Sequence, residues 1–325
     1  MLTLHGLRIA ISDGNEPRQP QADIVWQTHR VASLPAEPEA GDPIAIVRNE
    51  RTASGVATDH IFGYNDRVRC RFRVDADGSA VTTWALPEVS DRDLFSLFAE
   101  PVMRTVLVNR QLLSFHAAAL AKDGRAILIM AAKGAGKSTL SWALQRQGWQ
   151  LLADDLVHTQ VLDGQWSAHA GHRDTKLTPG AARALGYGTK TLRPRFDDVG
   201  PASSAFLFDK LVIDPTGGAP PTAAVPLSDI LFLSHRDTTL DAPSIQRLGP
   251  VAGTRCLVEH ATPDSVAPNA PPGVKFRRDL GSIAAAIPLA MLTLPDRLDL
   301  LAASAAMLDA TLDDAPRPLA TLTGP

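Results

Sequence analysis

The stretch "AAKGAGKSTLSWALQRQGWQLLADD", residues 131–155, strings together a glycine loop, a short helix and an apolar strand. Before it, "HAAALAKDGRAILIM" (116–130) reads as a strand, a turn at Lys122–Asp123–Gly124, and an apolar run, Ala126–Met130, feeding the loop. This strand–loop–helix–strand order is the mononucleotide-binding half of an α/β sheet. A phosphate cradle needs backbone N–H groups turned inward, hence glycine wherever a side chain would block the approach or φ is positive. It also needs a lysine to reach the terminal phosphates and a hydroxyl to hold magnesium. Gly134, Ala135, Gly136, Lys137, Ser138 and Thr139 form that candidate set, and a helix expected over 138–147 adds its N-terminal dipole. Ala131 departs from the usual pattern, which has glycine seven residues before the hydroxyl; alanine fits there if its φ stays negative. The bland alternative, a strand–helix turn with a solvated lysine, is outweighed by an intact GAGKST in the required context.

Asp154 and Asp155 follow at the end of the next strand, Asp155 eighteen residues after Lys137. Strand ends on the loop side of such a sheet point toward the bound phosphates. A carboxylate there can accept a proton from an incoming hydroxyl or hold a metal through water. In transport and remodelling ATPases the metal-associated aspartate comes much later in the chain, so the early pair argues for a kinase. A solvated turn after the strand is the alternative, and the apolar "LLA" lead-in weighs against it.

Composition bounds the rest. The 325 residues suffice for one large domain or two ordinary ones, with 45% hydrophobic and 21% charged residues. A formal charge of −3 gives no reason to expect nucleic acid or an acidic membrane surface as partner. Cys70 and Cys256 are the only cysteines, too few for a disulfide framework or a thiolate metal site. The opening "MLTLHGLRIAISDGNEPRQPQ" lacks a basic segment followed by a long apolar run, and no stretch approaches the roughly 18 apolar residues that span a bilayer. The expectation is a soluble cytoplasmic protein.

Residues 1–108 read as a smaller strand-rich domain ending in a helix, 109–312 as the P-loop domain, and 313–325 as a flexible tail. In "DRVRCRFRVDADGSAVTTWAL", Val68, Cys70, Phe72 and Val74 alternate with Arg67, Arg69, Arg71 and Arg73, and "DADG" (75–78) reads as a hairpin turn into Val81–Leu86. The arginine face can meet a phosphate or an acidic peptide, but a solvated sheet face is the commoner outcome. Ser90 caps a helix with Asp91 and Asp93 in its first turn, and Pro101 is expected to kink or split it. Later, "KLVIDP" (210–215) and "LSDILFLSHRD" (227–237) read as strands, and "GSIAAAIPLAMLTLPDRLDLLAASAAMLDATL" as two helices around Pro295. No internal repeat is present.

The residues around the loop resemble HPr kinase/phosphorylase and the broader set of HPr-kinase-like serine kinases, which includes kinases of lasso-peptide precursors. The shared pattern appears here as His116, "KGAGKST", Gly148 and "LLADD", tight over roughly residues 110–160. The resemblance implies an α/β P-loop kinase domain of the HPr-kinase type using ATP and Mg2+. It implies that Lys137 binds the β and γ phosphates, that Ser138 coordinates magnesium, and that Asp155 is the general base, with Asp154 beside it at the metal. His116 would sit near the transferred phosphate; as a lone residue it reads as a buried strand-start histidine. Two departures, no clear match for the bifunctional enzymes' metal glutamate and none for their glycine- and arginine-rich signature, point to the divergent branch. In "HAGHRDTKLTPG" (169–180), Arg173 and Lys176 can offer charge to a phosphate. His169 and His172 have metal-like spacing but no carboxylate cluster, and Lys210 is a weaker contact candidate.

The leading expectation is therefore a Mg-ATP-dependent kinase acting on a serine of a peptide or small protein, and a homo-oligomer by family habit. A small-metabolite kinase is the second reading, weakened by the lack of a strong arginine-bearing lid segment. A nucleotide-binding regulator or assembly factor without transferase activity is the third, kept open by Ala131 and the missing glutamate.

Overall fold

The computed structural model describes residues 1–12, 21–35, 44–64, 67–132, 134–187, 193–194, 211–213, 224–262 and 274–313. The chain is mixed α/β and divides into two compact units. Lys210 and the tail beyond Asp313 lie outside the described residues.

The first unit contains Met1–Leu112 and the described part of Lys176–Ile213. Its main sheet has seven strands: β1 (Leu2–Leu4), β2 (Leu7–Ser12), β3 (Ile24–Arg30), β4 (Ile44–Thr52), β5 (Gly55–Tyr64), β6 (Arg67–Val74) and β7 (Ala80–Ala85). They run in the order β1-β2-β3-β7-β6-β5-β4. The alternation in β6 is realised as expected, with Val68, Cys70, Phe72 and Val74 buried. The arginine face is occupied by carboxylates of the same unit. Arg71 donates to Asp59 at 2.5 Å, Arg73 to Glu50 at 2.7 Å, and Arg69 to Glu88 at 2.7 Å.

Ser90 caps α1 (Asp91–Leu97) by accepting from the Asp93 N–H. Pro101 then falls in a wider π-type turn, Phe98–Val102, before α2 (Met103–Asn109). Proline has no N–H to give the preceding turn, and the wider turn takes up its ring without ending the helix. Trp26 stacks on Phe98 with ring centroids 4.0 Å apart, tying the helix to the sheet.

The second unit contains Leu113–Thr175, Asp214–Thr262 and Pro271–Pro325, of which the residues above are described. Its strands are β8 (Ser114–Phe115), β9 (Ala117–Lys122), β10 (Arg125–Ala131), β11 (Gln150–Ala153), β12 (Val157–Leu162) and β13 (Gln165–Ala168). Three more strands, β14 (Thr175–Leu177), β15 (Arg193–Pro194) and β16 (Leu211–Ile213), form a separate small sheet that belongs, Thr175 apart, to the first unit. The large sheet is completed by β17 (Val225–Leu233), β18 (Ser244–Arg247) and β19 (Leu289–Thr293). The helices of the second unit are α3 (Lys137–Gln145), α5 (Pro250–His260), α6 (Val274–Ala286) and α7 (Leu301–Asp313), while α4 (Pro179–Ala184) belongs to the first.

The strand order β11-β9-β10-β17 decides where the chemistry falls. β9 is antiparallel to both β10 and β11, so those two run the same way, and β17 and β19 run parallel to β10. The C-terminal ends of β10, β11, β17 and β19 therefore share one edge of the sheet. Asp123 and Gly124, at φ 50° and 75°, make the tight turn that reverses β9 into β10. Leu128, Met130, Leu152, Ile230, Phe232 and Leu289 are buried in one continuous core under this edge.

Three sequence expectations change. The helix expected over 138–147 starts one residue earlier, at Lys137, and ends at Gln145. The strand expected over 227–237 ends at Leu233, leaving Ser234–Asp237 as a connecting segment. The two C-terminal helices are separated by β19, a strand made of Leu289–Thr293 in the middle of the supposed helical run. Pro288 blocks helical hydrogen bonding there, and pairing with β17 on one side and β18 on the other overrides the helical composition. Among the described residues, no helix is long and apolar enough to cross a membrane.

Candidate nucleotide and phosphotransfer site

β10 ends at Ala131, which is buried and still paired with Leu233 of β17. The loop thus opens one residue later, at Ala132, whose carbonyl accepts from the Ala135 N–H at 3.2 Å. Ala131 is not among the residues with positive φ, so alanine is unstrained there. Gly134 and Gly136 take φ of 84° and 107°, backbone that a side chain rarely tolerates. Gly136 is also the N-cap of α3. Ala135 and Ser138 are half-buried, Thr139 is buried, and Lys137 opens the helix.

Gly148, at φ 91°, turns the chain from α3 into β11, and Asp154 and Asp155 emerge at its C-terminal end. Strand polarity thus puts the acidic pair beside the start of α3. Lys137 Nζ donates to Asp154 Oδ1 and, at 3.0 Å, to Asp155 Oδ1. Burial alone would push the Lys137 ammonium down; the two carboxylates outweigh it, so its pKa is raised and it stays charged. Asp154 is buried, its Oδ1 also accepting from the Asp155 N–H at 3.0 Å. Its Oδ2 is buried without a hydrogen-bond partner among the described residues.

Asp155 has φ 68°, left-handed backbone that an aspartate tolerates at some cost. Strain of that kind is kept where the surroundings impose it, commonly at functional sites. Part of the imposition comes from His116, in the link between β8 and β9. Its N–H donates to the His260 carbonyl at 2.8 Å, and its Nδ1 lies 3.0 Å from the Asp155 carbonyl oxygen. A carbonyl only accepts, so Nδ1 is the donor in this hydrogen bond.

The fold thus brings Lys137, Asp154, Asp155 and His116 together. Segment 169–174 also runs past the pair: Asp154 N–H donates to the His172 carbonyl, and Gly171 N–H to the Leu152 carbonyl. The His169 ring stacks on His158 with centroids 4.7 Å apart. Among the described residues, no group of three or more His, Cys, Asp or Glu side chains is arranged to hold a metal. Lys176 is buried and paired with Glu100, which removes its charge from the candidates for a phosphate.

One cation at this edge escaped the sequence reading. Arg236, three residues beyond β17, lays its guanidinium across the loop: a Cβ built on Gly136 would sit 2.7 Å from Arg236 Nη2. The signal that finds it is a basic residue just past the end of a strand parallel to the loop strand.

A magnesium ion usually takes one or two carboxylates, a hydroxyl, water and phosphate oxygens, without an all-protein cage. The orphaned Asp154 Oδ2, and the hydroxyl of Ser138 next to Lys137 in the chain, are donors of the kind this requires.

No protein-family model matches this chain, and no curated protein matches it. Among solved structures, the Hpr(Ser) kinase/phosphatase from Coxiella burnetii is similar over 62% of this chain and 92% of its own, at 13% identity and a TM-score of 0.29. A likeness that distant carries no argument about function.

Proposed function

We propose that this chain is a Mg-ATP-dependent kinase that transfers the γ-phosphate of ATP to a hydroxyl, with a serine of a peptide or small protein as acceptor. The observation that carries this reading is the ion pair of Lys137 with both Asp154 and Asp155 at the loop edge. It puts a phosphate-seeking cation, a metal-competent carboxylate and a candidate base within one hydrogen-bonded cluster.

The loop N–H groups around Gly134–Ser138 receive the phosphates, and Lys137 exchanges its carboxylate partners for phosphate oxygens. Ser138 and Asp154 Oδ2 hold magnesium, which when bound neutralises phosphate charge. Asp155 takes the proton of the incoming hydroxyl as that oxygen bonds to the γ-phosphorus and the bond to the ADP oxygen breaks. His116 keeps the Asp155 backbone in its left-handed turn, fixing the direction of the carboxylate.

The test is incubation with γ-labelled ATP, magnesium, and either peptides and proteins encoded by neighbouring genes or a panel of hydroxylated metabolites. Label on a serine of one polypeptide supports the proposal. Label only on a metabolite moves the protein to the small-molecule kinases. Nucleotide binding without transfer, unaltered in Asp155→Asn, makes it a regulator.

A further inference from the structure

Arg236 is held by its surroundings in a way that an ordinary surface arginine is not. The Ser234 N–H donates to the Leu292 carbonyl at 2.9 Å and the Asp237 N–H to the Leu294 carbonyl at 2.9 Å, so the backbone on both sides is pinned alongside β19. The register Ala131↔Leu233 sets the start of this segment level with the start of the loop. Arg236 lines a small hollow with Leu294, Pro295, Arg297, Leu298, Leu301 and Ser304. Its guanidinium ends over Gly136, with Nη2, Nε and Cζ at 2.7, 3.4 and 3.5 Å from the position of a Cβ on that glycine.

The charge is poorly answered by protein. Among the described residues, its ion pair is with Asp296 at 3.8 Å, beyond hydrogen-bonding distance, and Asp296 is itself half exposed. Asp237, the nearer carboxylate in sequence, is engaged by the N–H and hydroxyl of Thr239, both at 2.7 Å. A planar cation fixed beside inward-turned N–H groups, with its carboxylate partner at arm's length, suits an oligophosphate anion.

Resting on the nucleotide-site reading above, we infer that Arg236 is a further phosphate-positioning residue, a clamp that closes over the loop at Gly136 and selects nucleoside di- and triphosphates. Because the clamp reads phosphate charge and leaves the nucleoside alone, its contribution depends on the length of the phosphate chain.

The test compares wild type, Arg236→Gln and Arg236→Lys in calorimetric titrations with ATP, ADP and AMP, all with magnesium. Arg236→Gln is expected to weaken ATP and ADP about tenfold while leaving AMP within about twofold, the size of one lost charge-assisted contact. Arg236→Lys, which keeps the charge but not the planar fork, is expected to recover only part of the loss, and the unfolding midpoint of both unliganded variants to match wild type. Wild type that binds ATP while Arg236→Gln binds it equally well overturns the assignment of Arg236 alone. So does an equal loss for AMP, which would move the arginine to the nucleoside or the fold. Wild type that binds none of the three nucleotides overturns the nucleotide reading beneath it.

Discussion

Lys137 and Asp155, eighteen residues apart in the chain, meet as an ion pair of 3.0 Å because β10 and β11 run in the same direction on either side of β9. With Asp154 on the same ammonium, the lysine is buried and doubly paired. Removing it leaves a buried carboxylate without its counter-charge, which costs about 3 kcal/mol. Lys137→Ala is therefore expected to abolish transfer and also to lower the urea midpoint of the free protein. Urea unfolding alongside the transfer assay checks this; a variant of wild-type stability would mean that the pair contributes nothing to the fold.

In the proposed mechanism Asp154 and Asp155 have separate roles. Asp154→Asn takes charge from the oxygen offered to magnesium, so the magnesium concentration for half-maximal transfer is expected to rise by about tenfold. Magnesium titrations of the variant at saturating ATP read this directly, and an unchanged requirement places the metal elsewhere.

The N-terminal unit carries its own pH dependence. His60 is buried and hydrogen-bonds Thr105 at 2.8 Å; burial pushes its imidazole down to about 4, with the nearby Asp59 opposing and Arg104 assisting. In the unfolded chain a histidine titrates near 6.5. The unfolded state therefore takes up the proton first as pH falls, and stability present above about 6.5 is lost progressively toward 4. Up to about 3 kcal/mol is at stake. Urea midpoints measured between pH 7 and 4 should fall, and His60→Gln should flatten that slope.

Gly63 sits where the β5–β6 register shifts, and a Cβ there would lie 2.2 Å from the Arg67 carbonyl oxygen and 2.9 Å from the Val68 Cα. Both are backbone atoms of the paired strand and cannot swing aside. Gly63→Ala is expected to cost about 2 kcal/mol. A variant that unfolds at the wild-type midpoint would show that the strand shifts freely.

What was legible in the chain followed from local chemistry. The alternation in 67–74, the Ser90 cap, the Asp123–Gly124 turn and the glycines at 134 and 136 each state a backbone conformation by themselves. What was not legible depended on partners distant in sequence. "PLAMLT" has helical composition and becomes β19 because β17 and β18 flank it. Lys176 looks like a phosphate ligand until Glu100, 76 residues away, takes its charge. Arg236 reads as part of a strand until β17 is seen to stop at Leu233.

In the proposed mechanism the Lys137–Asp154–Asp155 cluster transfers phosphate, with Asp155 as the base. The measurement closest to it is the rate of label transfer from γ-labelled ATP by wild type and Asp155→Asn, with ATP affinity measured on both. Loss of a general base lowers the rate by roughly a hundred- to ten-thousandfold. A loss of that size is expected in Asp155→Asn, with ATP affinity within about threefold of wild type; equal transfer rates in the two proteins would rule Asp155 out as the base.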